Sequence, residues 1–176
     1  MIQPAKNILV TGNPGVGKTT LVRKLTDMLR EFRPAGFYTA EIRQGGIRQG
    51  FKLVDLSGSH LVLSHVNIRS PYRVGKYGVD IAAFESYLDT GSLKVCTAGL
   101  FIIDEIGKME CYSSKFIRNV IELLDSDKRV LATIAQKGSG PIEAIKRRGD
   151  VRLIEVTLRN RDSLAADIAD LIRGPL

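Results

Sequence analysis

Eight residues, Gly12-Asn13-Pro14-Gly15-Val16-Gly17-Lys18-Thr19, leave this chain few architectures. They fit the pattern G-x-x-x-x-G-K-[ST] and stand between two runs of different period. Asn7–Gly12 is short, apolar and β-branched and ends at Gly, the pattern of a buried strand. From Lys18 the residues Leu21, Val22, Leu25, Met28, Leu29 and Phe32 fall on one helical face, with Pro34 and Gly36 expected to stop the helix. A strand feeding a glycine-rich loop and then a helix N-terminus is a device for gripping phosphate. Gly12, Gly15 and Gly17 permit positive φ and leave no Cβ between main chain and ligand, so the loop N–H groups can turn inward. The helix start adds free N–H groups and a partial positive charge. The Lys18 ammonium is then placed for the β- and γ-phosphates of a nucleotide. The Thr19 hydroxyl is placed for Mg²⁺, with Thr20 beside it.

A second stretch supplies what the loop lacks. Leu100-Phe101-Ile102-Ile103 is an apolar strand that runs into Asp104 and Glu105. In open α/β sheets, ligands bind at the carboxyl ends of the strands. Asp104 is therefore expected to hold the Mg²⁺, directly or through water. Glu105, next to it, is expected to orient and deprotonate a water for attack on the γ-phosphate. The Asp-Glu pair points to the branch of phosphate-loop folds with a strand inserted between the loop strand and the carboxylate strand. Val130–Ala135 is the candidate for that strand, with Thr133, Gln136 and Lys137 at its end as possible γ-phosphate sensors.

The remaining pattern is of α/β type. Gly36–Arg43 and Ile47–Leu56 read as strands joined by a hairpin at Gln44-Gly45-Gly46, with Leu61–Val66 as a further strand. Asn67–Gly78 reads as a loop. Val79–Leu88, Ser113–Leu124, Pro141–Arg148 and Ser163–Arg173 read as helices, and Val151–Thr157 as a strand. Continuous apolar strands alternating with amphipathic helices specify a mostly parallel sheet covered on both faces, a three-layer α/β/α fold, with the hairpin as an antiparallel extension at one edge. The 176 residues, 44% hydrophobic and 26% charged, are expected to form one domain over 1–176.

Other features exclude more than they assign. No apolar run approaches the roughly 20 residues of a membrane span. Residues 1–6 lack the layout of a signal peptide, so a cytoplasmic location is expected. Cys96 and Cys111 have neither Cys-x-x-Cys spacing nor a nearby His pair, and read as ordinary thiols rather than zinc ligands. His60 and His65 read as surface or packing residues. The net charge of +7 suits a polyphosphate ligand or nucleic acid. The densest cluster, Lys146-Arg147-Arg148, reads as a solvated helix end, and 6% aromatic content without Trp gives few stacking platforms for single strands.

With these residues in hand, the chain resembles the small nucleoside-triphosphatase family of archaea and thermophilic bacteria, whose vertebrate members are called cancer-related nucleoside-triphosphatase. The resemblance runs through Gly12–Thr20, Gly36–Glu41, Gly50-Phe51, Val74-Gly75-Lys76-Tyr77, Ile103–Glu110 followed by Phe116, and Asn160-Arg161-Asp162. The run I-D-E-I-G-K-M-E is the most restrictive of these, and Cys111-Tyr112 after it departs from the usual apolar residue. The resemblance implies slow Mg²⁺-dependent hydrolysis of ATP, GTP, CTP and UTP to diphosphate and phosphate. It also implies nucleotide contacts at residues 12–19 and at Leu100, Phe101, Ile102, Ile103, Asp104, Glu105, Ile106 and Gly107. Lys108 is a candidate for stabilising charge on the transferring group, and Arg148 and Arg161 are candidate arginine fingers. Asn160-Arg161 can equally cap the last helix, and Tyr38, Arg43, Arg73 and Lys76 are weaker candidates for a pocket beyond the γ-phosphate. A monomer is expected. Two other readings stay open: a nucleoside or nucleotide kinase, with an acceptor housed by residues 36–95, and a nucleotide-dependent RNA- or protein-binding module.

Overall fold

The computed structural model describes residues 5–95 and 97–175; Met1–Pro4, Cys96 and Leu176 lie outside the described residues. The chain opens with β1 (Asn7–Thr11), the loop, and α1 (Lys18–Met28). An antiparallel section follows: β2 (Ala35–Gln44), β3 (Ile47–Asp55), β4 (His60–His65), β5 (Arg73–Val74) and β6 (Tyr77–Val79). Then come α2 (Ile81–Thr90), β7 (Leu100–Ile106), α3 (Ser114–Asp125), β8 (Arg129–Ile134), α4 (Pro141–Lys146), β9 (Val151–Glu155) and α5 (Leu164–Arg173).

Among the described residues nine strands join one sheet in the order β5-β6-β4-β3-β2-β7-β8-β1-β9. From β2 through β9 the neighbours are parallel; from β2 outward to β5 they are antiparallel. The inserted strand expected at Val130–Ala135 is β8, which lies between β1 and β7. The hairpin forms the expected antiparallel extension.

Strand alternation divides the core. Ile8 and Val10 of β1 face one way, against Leu21, Val22 and Leu25 of α1 and Ile168 and Ile172 of α5. Leu9 faces the other way, in a cluster with Ile103, Ala132, Phe116 and Val120 of α3 and Ile142 and Ile145 of α4. Because both faces are covered, every residue of β1 is buried. The extension is tied to this second layer by aromatic rings. Phe37 of β2 meets Phe84 at 6.3 Å, Tyr87 at 5.9 Å and Phe116 at 6.3 Å between centroids. Gly36 is what lets β2 come close: at φ 129° a Cβ there would stand 1.9 Å from the Ile102 carbonyl oxygen of β7.

Three expectations are corrected. Helix α1 ends at Met28 and does not run to Pro34. Residues Arg30–Phe32 tighten into a 3₁₀ turn, and Arg33 takes φ 51°. The Phe32 carbonyl leaves the helix to accept from Gly99 N–H at 2.8 Å, which turns the chain into β2. Asn67–Gly78 is not all loop, because Arg73–Val74 and Tyr77–Val79 pair as a small hairpin whose second strand lies against β4. Val79 consequently ends a strand, and Asp80 caps α2 by accepting from Ala83 N–H at 2.9 Å.

Candidate active site

The loop that follows β1 has the backbone its sequence demands. Gly12, Gly15 and Gly17 all take positive φ, at 149°, 77° and 108°. A Cβ at Gly12 would stand 2.5 Å from the Val156 carbonyl oxygen, so the loop lies tight against the segment after β9. Gly17 opens α1 with no side-chain cap, which leaves the first-turn N–H groups without a side-chain acceptor. Lys18 Nζ lies across the loop, donating to Gly12 O at 2.9 Å and Asn13 O at 3.3 Å.

The inserted strand carries the link to the carboxylates. Thr133 of β8 pairs in register with Val10, at the end of β1. Its hydroxyl donates to Asp104 Oδ1, while Thr19 Oγ1 donates to Asp104 Oδ2 at 2.7 Å. Asp104 is thus held between the start of α1 and the end of β8, with only 1% of its surface exposed. Burial pushes its carboxyl up, against the opposing pull of the Thr133 and Thr19 hydroxyls. Glu105 follows on the cavity side, joined to Asp104 by a cis peptide. Burial raises it as well, the Lys18 charge draws it down, and the neighbouring Asp104 raises it.

These groups fit Mg²⁺. The Thr19 hydroxyl and the Asp104 carboxylate are hard oxygen donors within 2.7 Å of each other. No group of three or more His, Cys, Asp or Glu able to hold a metal occurs among the described residues. Mg²⁺ commonly takes only one or two protein oxygens and completes its octahedron with water and phosphate oxygens.

The cavity above them measures about 800 Å³. Of the residues expected to meet a nucleotide, Gly12, Asn13, Pro14, Gly15, Gly17, Lys18, Thr19, Thr20, Glu105 and Lys108 line it. Val16 does not, because its side chain turns into the core beside α1. Leu100, Phe101, Ile102, Ile103 and Ile106 are core residues too, since β7 is covered on both faces. They carry the two carboxylates to the sheet edge and do not reach the cavity wall. Gly107 lies between two acids: a Cβ there would stand 2.8 Å from Glu105 Oε1 and 2.9 Å from Glu110 Oε2.

The outer candidates separate. Gln136 and Lys137 line the cavity from the end of β8. Arg161 lies beside the loop, its Cδ 3.9 Å from where a Gly17 Cβ would be. Asn160 organises the preceding turn, accepting from Thr157 N–H at 2.8 Å and donating to Glu155 O at 2.9 Å. Arg148 is at the wrong end of the sheet. It pairs with Asp125 and Asp150, and Asp150 also accepts from Asn7 at the first residue of β1, a strand length from the loop. Tyr38, Arg43, Arg73 and Lys76 are off the wall, and Thr39, Glu41, Arg48 and Val74 are on it. For Tyr38 the cause is strand alternation: its ring faces α1, under the Arg23 guanidinium at 4.9 Å. Arg43 is drawn to Glu41, and Lys76 to the Tyr77 ring. His65 accepts from Asn67 N–H at 3.2 Å.

Glu110 is the residue that sequence reasoning left without a role. It is 5% exposed yet lines the cavity, and burial together with the Glu105 charge pushes its carboxyl up to about 8. The available signal was an acid five positions after Glu105, directly flanked by Met109 and Cys111.

Known proteins resemble this chain along nearly its whole length. The family model described as NTPase matches residues 7–169. The nucleoside-triphosphatase THEP1 of Thermotoga maritima is 44% identical over 168 residues, 94% of this chain and 95% of that protein. The human cancer-related nucleoside-triphosphatase is 40% identical over 186 residues, covering 97% and 98%. Among solved structures, the crystal structure of THEP1 from Aquifex aeolicus superposes with a TM-score of 0.82 at 36% identity, covering 96% of this chain and 99% of that one. With the matched region embracing the loop, both carboxylates and the inserted strand, the chain belongs to the NTPase family.

Proposed function

We propose that the protein hydrolyses nucleoside triphosphates to diphosphate and phosphate with Mg²⁺, inside the cell. The observation that carries this reading is the Thr19–Asp104 contact, with Glu105 beside it and Lys18 across the loop. The loop amides and Lys18 bind the β- and γ-phosphates, for which Lys18 exchanges its two carbonyl partners. Thr19 and Asp104 would hold Mg²⁺, which supplies charge neutralisation on the phosphate oxygens when bound. Glu105 orients a water and takes its proton as the oxygen attacks the γ-phosphorus. The bond to the bridging oxygen breaks, and the electron pair leaves with the diphosphate, where Lys18 and the amides stabilise it.

The gripping groups touch phosphate and metal, parts common to ATP, GTP, CTP and UTP, which supports broad base tolerance. Lys108 on the cavity wall and Arg161 beside the loop are the candidates for charge on the transferring group. Cys111, a free thiol, fits a reducing interior. The test is Glu105→Gln. Calorimetry should record unchanged Mg²⁺-nucleotide affinity while kcat for phosphate release falls by about 10²-fold or more. Turnover at the unsubstituted rate would remove Glu105 from the reaction.

A further inference from the structure

The sheet order sets the direction in which a bound triphosphate runs. The end of β7 carries Glu105, the end of β8 leads to Gln136 and Lys137, the end of β1 leads to the loop, and the end of β9 leads to a turn over residues 157–163. These strand ends stand side by side in the order β7, β8, β1, β9. With the γ-phosphate at Glu105 and the β-phosphate in the loop, the rest of the nucleotide continues toward β9. Three strand spacings, about 14 Å, separate the carboxylates from the turn after β9. Three linked phosphates fall short of that distance, so the ribose and base are what reach the turn.

Arg161 stands on this side. Its Cδ lies 3.9 Å from where a Cβ of Gly17 would be, beside the cap of α1. It does not line the cavity that Glu105, Lys108, Gln136 and Lys137 line, so of the two candidate cations only Lys108 is on the carboxylate side. The guanidinium is lightly held. Its ion pair with Asp162 is long, at 3.7 Å, and both side chains are exposed, so the pair contributes little. The main chain beneath it is fixed: the N–H groups of Asn160 and Arg161 both donate to Thr157 O, at 3.3 and 3.1 Å. A closed turn therefore presents a planar cation next to the start of α1.

The same turn is badly equipped to tell one base from another. Asn160 is its one side-chain amide, and both ends of that amide are spent on the main chain, at Thr157 N–H and Glu155 O. A guanidinium plane needs no hydrogen-bonding edge, because every nucleobase offers a π-face on which it can stack.

We propose that Arg161 holds the nucleobase of the bound triphosphate by stacking its guanidinium plane on the ring, and that this contact is the source of the base tolerance. The inference rests on the triphosphate-hydrolysing reading above. It leaves the charge on the transferring group to Lys108 and makes Arg161 a binding residue.

The test titrates the full chain with Mg²⁺ by calorimetry. The ligands are nonhydrolysable analogues of ATP, GTP, CTP and UTP, and inorganic tripolyphosphate, which keeps the phosphates and lacks ribose and base. Arg161→Ala should weaken all four analogues by about tenfold, the size of a partly desolvated cation–π contact, and tripolyphosphate by no more than about twofold. Arg161→Lys keeps the charge and loses the plane, and should weaken the analogues in the same direction. In turnover of the four triphosphates, the loss should fall in KM rather than in kcat. An equal loss for tripolyphosphate and the analogues, the mark of a phosphate contact, overturns the proposal. So does a fall in kcat at unchanged KM, the mark of an arginine finger, and so do unchanged affinities in Arg161→Ala. Failure of the unsubstituted protein to bind any analogue is a different result: it overturns the triphosphate reading itself.

Discussion

Asp104 and Glu110 are both acids sealed from solvent whose carboxyls burial pushes up, but their neighbours differ. Asp104 receives two hydroxyl hydrogen bonds and has Lys18 near, so its ionised form has support. Glu110 has the charges of Glu105 and Asp104 on its side and no cation, so its proton is retained to about pH 8. A carboxyl whose folded pKa lies above its unfolded value, 4.5 here, binds a proton in the folded state that the unfolded state has lost. Stability therefore falls as pH rises from the unfolded value to the folded one. Glu110→Gln removes that slope. In the metal-free, nucleotide-free protein its Tm should nearly match the unsubstituted protein at pH 5 and exceed it by several degrees at pH 8. Parallel Tm profiles across that range would show that Glu110 is ionised when folded.

Among the elements, β3 and α2 depend on one carboxylate. Asp55, the last residue of β3, is buried. It accepts from Ser57 N–H at 2.7 Å, from the Tyr87 hydroxyl at 2.6 Å, and from both the N–H and the hydroxyl of Ser92. Burial pushes this carboxyl up, yet the bonds from Ser57, Ser92 and Tyr87 outweigh it and hold the pKa at about 2. The network fastens the end of α2 to the base of the hairpin. Asp55→Asn leaves donors such as the Tyr87 hydroxyl facing an NH₂ group, and should cost about 1–3 kcal/mol at pH 7 by denaturant unfolding. The sign for a depressed acid is the reverse of that for Glu110. The stabilisation is complete above pH 4 and is lost as pH falls through about 2. The two proteins should therefore converge in acid, and a constant gap from pH 7 to pH 2 would exclude Asp55 as its source.

At the scale of the whole molecule, the sheet brings four separate stretches to one edge: the loop, the β7 carboxylates, Thr133 and the hairpin wall. Within the net charge of +7, the densest basic cluster, Lys146-Arg147-Arg148, is partly taken up by local partners. Arg148 is paired at the opposite edge, and Lys146 is bound to Glu143 and the Gln136 carbonyl. A ligand that bridges the loop and the carboxylates should stabilise all of these elements together. A nonhydrolysable ATP analogue with Mg²⁺, at about 100 times its Kd, should raise Tm on the order of 5–10 °C. Excess EDTA at the same analogue concentration should remove most of that shift. An undiminished shift would contradict the roles given to Thr19 and Asp104.

What could be read from residue order was whatever is local or periodic. The loop is eight consecutive residues whose glycines and lysine state their own task. The two carboxylates end an apolar strand, and α1 shows its buried face at i, i+4 and i+7. Even the inserted strand was legible, through the Asp-Glu pair. What needed the folded chain depends on residues meeting across long separations. Strands β5 and β6 exist because β4 offers them an edge, and the chain that leaves α1 turns into β2 with the Phe32 carbonyl accepting from Gly99 N–H, a partner 67 residues away. The wall formed by Glu41, Arg48 and Phe51 is set by which face of the hairpin turns toward the cavity, a choice that reverses with every residue along a strand. Burial is likewise a collective property, so the protonated Glu110 could be known only once the core had closed around it.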